Sequence, residues 1–230
     1  MLGLYSTSGF KTQRLINNMK LLFENWRQYL DEQKETFPYQ IYCDMDGVLV
    51  DFMSATLEQI NKDLKDKTIT GKNIDKLRKK LAEFGRDEIT AQDLDKMDKK
   101  NRLQAARNYM YRRFDDDEEF WANLPWADGG KELWDYISKF NPYILTAPMK
   151  GEGSKRGKEL WIEKNLDPLP KEVFMSHEKY NWAKEDGKSN VLIDDFTSNT
   201  VPWEDHGGIA ILHTDTNKTI QELEEIANEI

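Results

Sequence analysis

The second half of the chain alternates short apolar runs with longer amphipathic stretches. From Pro125 onward, four β-rich runs are separated by segments whose apolar residues have helical spacing, and a fifth run lies earlier. Strands that alternate with helices predict a parallel sheet covered on both faces, which is a three-layer α/β/α fold. The predicted strands are 39–43, 143–146, 172–175, 190–193 and 208–212, and the predicted helices are 128–140, 154–165, 197–205 and 217–229.

The first 38 residues predict a helical extension. Apolar residues recur there at spacings of four and three over about 11–35, which places them on one face of a helix. Such a stripe most often packs against the protein's own core. Docking to a partner protein and pairing of two subunits are the alternatives, so a homodimer stays open. The stripe consists of Leu15, Met19, Leu22, Trp26 and Tyr29.

Residues 53–124 differ from the rest of the chain because they are dense in charged residues and contain no proline. Two apolar stripes with helical spacing predict a small helical insert after the first strand. The domain prediction is therefore an extension over 1–38, a core formed by 39–52 plus 125–230, and an insert over 53–124. The stripes are Ile74, Leu77, Leu81 and Phe84, and Leu94, Met97, Leu103, Ala106 and Met110.

Composition narrows the function classes. The 230 residues carry a formal charge of −9, which argues against stable binding of nucleic acid, since such proteins need a basic face. A mean hydropathy of −0.80, with no apolar run near the roughly 18 residues that span a bilayer, argues against a membrane protein. The single cysteine, Cys43, and the lack of a recognisable secretory signal favour a cytoplasmic protein.

Polar side chains stand at or soon after the carboxyl ends of four predicted strands. Ligands of open α/β sheets bind beyond these ends, so we expect these side chains to meet at one rim. Carboxylates provide the oxygen ligands that magnesium prefers, and a lysine and a hydroxyl suit a phosphate beside the metal. An unrelated magnesium site and solvated loop ends remain the alternatives at this point. The residues are Asp44 and Asp46, Thr146, His177 and Lys179, and Asp194 and Asp195.

Three segments resemble motifs of a known superfamily. Residues 44–52, DMDGVLVDF, resemble the first motif of the haloacid dehalogenase-like (HAD) phosphohydrolases, DxDGVLxDF. Residues 144–147, ILTA, resemble the second motif, and residues 191–195, VLIDD, resemble the fourth. Their form is most similar to that of the type-C 5′(3′)-deoxyribonucleotidases. The resemblance implies a Rossmann-like sheet with an inserted helical cap, and a phosphatase that works through an aspartyl-phosphate.

The resemblance implies roles for individual residues. Asp44 corresponds to the nucleophile and a Mg²⁺ ligand. Asp46 corresponds to the general acid and base, and its backbone carbonyl to a second ligand. Thr146, with Ala147 beside it, corresponds to the phosphate-binding segment. Asp195 corresponds to the direct aspartate ligand of the metal.

Other roles that the resemblance implies are less sharply placed. Asp194 becomes a supporting residue that orients a lysine. Lys179 is the preferred third-motif lysine, and Lys158 is its competitor, with a surface helix lysine as the alternative for Lys158. Phe52 corresponds to an aromatic that holds a nucleoside, with a core aromatic as the alternative. Within the insert, the candidates for contact with substrate are Tyr109, Tyr111, Arg112 and Arg113, with an exposed helix face as the alternative.

The implied substrate is a small phosphorylated compound, with a (deoxy)nucleoside monophosphate preferred. A HAD phosphatase for another metabolite and a polynucleotide 3′-phosphatase are the alternatives within the superfamily. Residues 22–27, LFENWR, resemble a short N-terminal pattern of tailed-phage proteins, which implies a phage origin. An inactive phage interaction protein is therefore the alternative from another class.

Overall fold

The computed structural model describes residues 37–94 and 103–228. The helix predicted over 11–35 and the stripe position Met97 lie outside these residues. The described helices are α1 (Phe52–Lys65), α2 (Lys72–Glu83), α3 (Ala91–Leu94), α4 (Gln104–Phe114), α5 (Glu118–Ala122), α6 (Gly130–Ile137), α7 (Glu152–Asn165), α8 (Thr197–Asp205) and α9 (Thr216–Asn228). The described strands are β1 (Ile41–Cys43), β2 (Tyr143–Thr146), β3 (Val173–Met175), β4 (Lys184–Glu185), β5 (Lys188–Ser189), β6 (Val191–Asp194) and β7 (Ile209–Leu212).

Five of these strands form one parallel sheet in the order β3-β2-β1-β6-β7. Strand β1 lies at its centre, where Tyr42 pairs with Tyr143 on one side and with Leu192 on the other. Carboxyl ends of parallel strands share one edge, so the residues after β1, β2 and β6 are brought together. The predicted parallel α/β fold is confirmed.

Both faces of the sheet are apolar because neighbouring residues of a strand point to opposite sides. Ile41 and Cys43 belong to one cluster of buried residues, whereas Tyr42 between them belongs to a second. Helices α6, α7 and α9 contribute Trp134, Trp161 and Leu223 to the first cluster, and α8 contributes Trp203 to the second. Helices therefore cover the sheet on two sides, as the three-layer prediction requires.

The region 53–124 is helical in its described residues, and a buried charge organises it. Asp63, at 2% exposure, accepts hydrogen bonds from the Tyr109 hydroxyl at 2.7 Å and from Arg113 Nε at 3.1 Å. The predicted stripe of α2 is buried at Ile74, Leu77 and Leu81. Its last predicted member, Phe84, is 62% exposed and lies just beyond the end of the helix at Glu83.

The last helix of this region, α5, packs closely on α7. Gly157 makes this approach possible, because a Cβ there would overlap the side chain of Trp121 and lie 2.5 Å from the Glu118 carbonyl oxygen. Asp115, in the turn before α5, accepts hydrogen bonds from two backbone amides near the start of α7, those of Gly151 and Ser154. The return from the insert is thus fixed to a core helix.

A short antiparallel pair, β4 and β5, was not predicted from the sequence. Its turn places Asp186 and Gly187 at positive φ, and both strands are too short to show an alternating pattern. Among the described residues, no helix combines the length and apolar character needed to cross a membrane.

Gly157→Ala is expected to destabilise the protein by about 1–3 kcal/mol, because the added methyl group overpacks the contact with α5. Helix propensity alone would predict the opposite sign, because alanine is favoured over glycine inside a helix by roughly 1 kcal/mol. A loss of stability would therefore report the close packing. Urea unfolding measures the difference, with Glu163→Ala on the exposed face of α7 as the matched control. A Gly157→Ala variant as stable as the wild type would contradict the close packing.

Candidate active site

The loop after β1 directs two aspartates toward the carboxyl edge of the sheet. The backbone amide of Asp44 extends the pairing of β1 with β6 by donating to the Ile193 carbonyl at 2.9 Å. The chain then turns tightly, and the amides of Leu49 and Val50 donate to the Met45 carbonyl. Met45 is fully buried, so its neighbours Asp44 and Asp46 are held in place on either side of it.

Gly47 belongs to this turn for two physical reasons. Its φ of +79° lies in the left-handed region, where residues with a Cβ are strained. A Cβ at this position would also overlap the carboxylate of Asp195. The glycine therefore allows the first and fourth motifs to approach each other.

Lys179 links the nucleophile candidate to the end of β6. Its Nζ lies 2.8 Å from Asp44 Oδ1 and donates a hydrogen bond to Asp194 Oδ2 at 2.6 Å. The contact with Asp44 is an ion pair whose angles are not those of a hydrogen bond. Burial alone lowers the pKa of Lys179, but the two carboxylates outweigh it and the pKa is raised, so the lysine stays charged.

The two aspartates at the end of β6 differ in what their oxygens do. Both oxygens of Asp194 accept hydrogen bonds, from Lys179 and from Asn199 Nδ2, and the Phe196 amide also donates to Oδ1 at 2.9 Å. Asp195 accepts no such bond within the part of the chain that the structure describes. The lone pairs of Asp195 are therefore available to a cation, whereas those of Asp194 are engaged by Lys179, Asn199 and the Phe196 amide.

Charge accumulates at Asp195. Although part of the residue is exposed, desolvation of its carboxylate, followed by the charges of Asp44 and Asp194, raises its pKa to about 7. Carboxylate oxygens of Asp44, Asp194 and Asp195 lie within 4.8 Å of one another. Such crowding is stabilised by a cation bound between the oxygens.

The donor set fits magnesium. All the available ligands are oxygens, which this ion prefers, and Asp195 accepts no hydrogen bond from the described residues. Asp44, Asp194 and Asp195 meet here with one lysine, Lys179, which leaves two negative charges uncompensated when all three carboxylates are ionised. One divalent cation would balance that charge.

Lys158 is also part of the site, in contact with Asp46 rather than Asp44. Its Nζ donates to Asp46 Oδ1 at 2.7 Å and to Thr146 Oγ1 at 3.1 Å, and the residue is completely buried. The alternative of a surface helix lysine is wrong. The sequence held a signal for this, because Lys158 falls at helical spacing among the other buried residues of α7, which are Ser154, Gly157, Trp161 and Ile162.

A cleft of about 1320 Å³ opens from Asp46 between the core and the insert. Phe52 and Trp121 line it, with their rings stacked at 5.0 Å, and so does Ala147 after β2. Phe52 is half-buried, so its two interpretations, core aromatic and substrate contact, are both served by this position. The cleft is also lined by His177, which is exposed.

The four substrate-contact candidates of the insert are now separated. Tyr109 and Arg113 both donate to Asp63, and Arg113 also pairs with Asp117, although Arg113 still lines the cleft. Tyr111 and Arg112 are exposed and line the cleft. In the described residues, Arg112 has no ion-pair partner.

Asp195→Asn is expected to raise the melting temperature of the metal-free protein, because it removes one of the crowded carboxylates. Mg²⁺ should stabilise the wild type, by about 2.7 kcal/mol at 100 times the dissociation constant, and should stabilise the variant far less. Thermal unfolding with and without Mg²⁺ measures both effects. Glu159→Gln, an exposed charge change on α7, should leave both unchanged, and an equal Mg²⁺ shift in Asp195→Asn would exclude this carboxylate as a ligand.

The same carboxylate sets the sign of a pH effect. Its pKa is higher in the folded protein than the usual value of about 4, so the folded state retains a proton that the unfolded state loses. Asp195 should therefore contribute a loss of stability to the metal-free protein as the pH rises from about 4 toward 7, whereas carboxyls whose pKa is lowered, such as that of Asp93, contribute the opposite change. The Asp195→Asn variant should lack this component of the pH profile, and an unchanged slope would contradict the assignment.

Comparison with known proteins gives structural likenesses only. No family model matches the chain, and no curated protein matches it in sequence. Among solved structures, a hydrolase from Streptococcus pneumoniae TIGR4 has 16% identity and a TM-score of 0.48, covering 81% of this chain and 98% of its own. YfnB from Bacillus subtilis, bound to magnesium, has 14% identity and a TM-score of 0.47, covering 84% of this chain and 100% of its own. A HAD-superfamily hydrolase from Ehrlichia chaffeensis has 16% identity and a TM-score of 0.46, covering 84% and 100%. At such identities and TM-scores, these likenesses say nothing about the substrate or activity of this chain.

Proposed function

We propose that the protein is a Mg²⁺-dependent phosphomonoesterase that forms an aspartyl-phosphate on Asp44. The observation that carries the proposal is the charge balance at the sheet edge, where three clustered aspartates, Asp44, Asp194 and Asp195, are offset by one buried lysine, Lys179. A carboxylate that is to attack a phosphate dianion needs positive charge beside it. Thr146, which is fully buried at the end of β2, adds a hydroxyl at the same edge.

The first step would form a bond between Asp44 and phosphorus and break the ester bond of the substrate. Lys179 lies against Oδ1 of Asp44, so Oδ2 is the oxygen left to attack. Asp46 would give its proton to the leaving oxygen, which departs as an alcohol. Its position two residues after the nucleophile, across the turn at Met45, places it on the cleft side.

The second step would hydrolyse the intermediate. Asp46, now ionised, would take a proton from water as the water oxygen attacks phosphorus, which frees Asp44 and releases inorganic phosphate. When bound, magnesium would reduce the repulsion between the anionic nucleophile and the phosphate. Asp44, the backbone carbonyl of Asp46 and Asp195 are the residues that would hold it.

The preferred substrate in this proposal is a (deoxy)nucleoside monophosphate. A cleft of about 1320 Å³ suits a small molecule, and the half-buried ring of Phe52, backed by stacking on the buried Trp121, offers an apolar surface to a base. The net charge of −9 disfavours a polynucleotide, because gripping a strand requires positive potential. Sugar phosphates and other small esters remain the second candidate class.

A substrate panel tests the proposal. Phosphate release should be fastest from deoxynucleoside monophosphates, slower from sugar phosphates and negligible from a 3′-phosphorylated oligonucleotide, and all release should require Mg²⁺. A preference for sugar phosphates would support the phosphatase activity but reject a nucleotide as the preferred substrate. Preference for the oligonucleotide would favour the polynucleotide 3′-phosphatase. No release from any substrate would favour an inactive interaction protein.

Asp44→Asn and Asp46→Asn are expected to fail differently. Asp44→Asn should abolish turnover of every substrate, because no acyl-phosphate can form. Asp46→Asn keeps the nucleophile and loses proton transfer, which is typically worth about 100- to 10,000-fold. Because a nucleotide has a poor leaving group, the rate of Asp46→Asn should fall further on a nucleotide than on an activated aryl phosphate.

Steady-state rates on the two substrates measure the difference, and Asp205→Asn, an exposed aspartate at the end of α8, is the control. Equal losses on both substrates for Asp46→Asn would assign the proton transfer to another group. Substantial turnover by Asp44→Asn would exclude the covalent intermediate.

A further inference from the structure

Two buried lysines divide the candidate site between them. Lys179, at 2% exposure, contacts Asp44 and Asp194, and Lys158, at 0% exposure, contacts Asp46 and Thr146. One lysine therefore lies on the side of the nucleophile. The other lies on the side of the group that would move the proton.

The direction of the hydrogen bonds made by Lys158 is fixed by chemistry. An ammonium group donates and never accepts, so Thr146 Oγ1 is the acceptor of the 3.1 Å bond. The single O–H of Thr146 is then left to donate elsewhere. In the same way, Lys158 occupies Oδ1 of Asp46 at 2.7 Å, which leaves Oδ2 as the oxygen that can transfer a proton.

The surroundings of Lys158 keep its ammonium away from a ligand. The ring of Trp121, from helix α5 of the insert, lies over Nζ at 4.8 Å from the ring centroid. Trp121 is itself held by stacking on Phe52 and by the hydrogen bond from its Nε1 to the Phe114 carbonyl at 2.7 Å. The close contact at Gly157 leaves little room for α5 to move aside.

We propose that Lys158 is a positioning residue for the phosphatase reaction and not a ligand of the phosphate. It holds Asp46 by Oδ1, which leaves Oδ2 for the leaving group, and it fixes the position of the Thr146 hydroxyl at the same edge. The inference rests on the proposed function, since it assigns a role within the same reaction. Lys179 then remains the lysine beside the nucleophile.

Lys158→Met tests the role because it removes the charge and keeps most of the side-chain length. We expect kcat on a nucleotide to fall by about 100-fold or more, with KM changed by less than roughly threefold, since substrate binding is not what the lysine supplies. The loss should be smaller on an activated aryl phosphate. Lys164→Met, an exposed lysine of the same helix, is the control and should behave as the wild type.

A double-mutant cycle with Asp46→Asn separates positioning from direct phosphate binding. If Lys158 acts through Asp46, adding Lys158→Met to Asp46→Asn should lower kcat much less than it does in the wild type. If Lys158 binds the phosphate, the variant should instead raise KM and the inhibition constant of inorganic phosphate, with losses that multiply. That second pattern would overturn the proposal while leaving the phosphatase function in place.

The same cycle read by urea unfolding needs no turnover. Each single variant leaves one charged group without its partner, so both should lower the unfolding midpoint, and the double variant should lose less than the two shifts combined. Additive shifts would overturn the Asp46–Lys158 contact itself. If the wild type releases no phosphate, the proposed function is rejected. The unfolding cycle still tests the Asp46–Lys158 contact, because it does not depend on turnover.

Discussion

The burial of opposite charges at the carboxyl edge of the sheet is the constraint on which the rest of the structure depends. Taking an ion out of water costs several kcal/mol, and only well-placed partners and hydrogen bonds repay that cost. Lys158 and Lys179 are almost completely buried, and each is held between two oxygens. Their positions fix the orientation of the aspartates, and the remaining negative charge creates the demand for a cation.

Close backbone contacts transmit that order from the core to the insert. Gly151, Gly153 and Gly157 of the α7 segment lie where a Cβ would overlap residues 115–121. The side chain of Asp115 and its backbone carbonyl satisfy amides at the start of α7. The insert therefore returns to the core at the helix that carries Lys158, and α7 supports both the cleft wall and the carboxyl edge of the sheet.

Some polar side chains of the insert hold its helices together, and others face the cleft. Asp63 gathers Tyr109 and Arg113 inside the helices, so these polar side chains are satisfied internally. Tyr111 and Arg112 stand beside them on the same helix and remain exposed at the cleft. Helical periodicity explains the division, since neighbouring positions on a helix point in different directions.

Local sequence patterns were sufficient to predict the layout of the core. Apolar runs separated by amphipathic segments placed all five strands of the parallel sheet, and the strand ends located Asp44, Thr146 and Asp195. These features are local, because strand pattern and position within a strand are both visible in a few consecutive residues. Such patterns did not reveal strands β4 and β5, because each is only two residues long. They also did not reveal the exposure of Phe84, which lies at the end of a helix.

The pairing of the charged groups could be seen only in the folded structure. Lys158 lies 112 residues from Asp46 along the chain, and nothing local distinguishes it from the exposed lysines of the same helix except its place on the buried stripe. The choice between Asp194 and Asp195 as the free carboxylate likewise depended on donors from Lys179 and Asn199. Pairing across such distances follows from the packing of helices on the sheet, which brings together side chains that no sequence window contains.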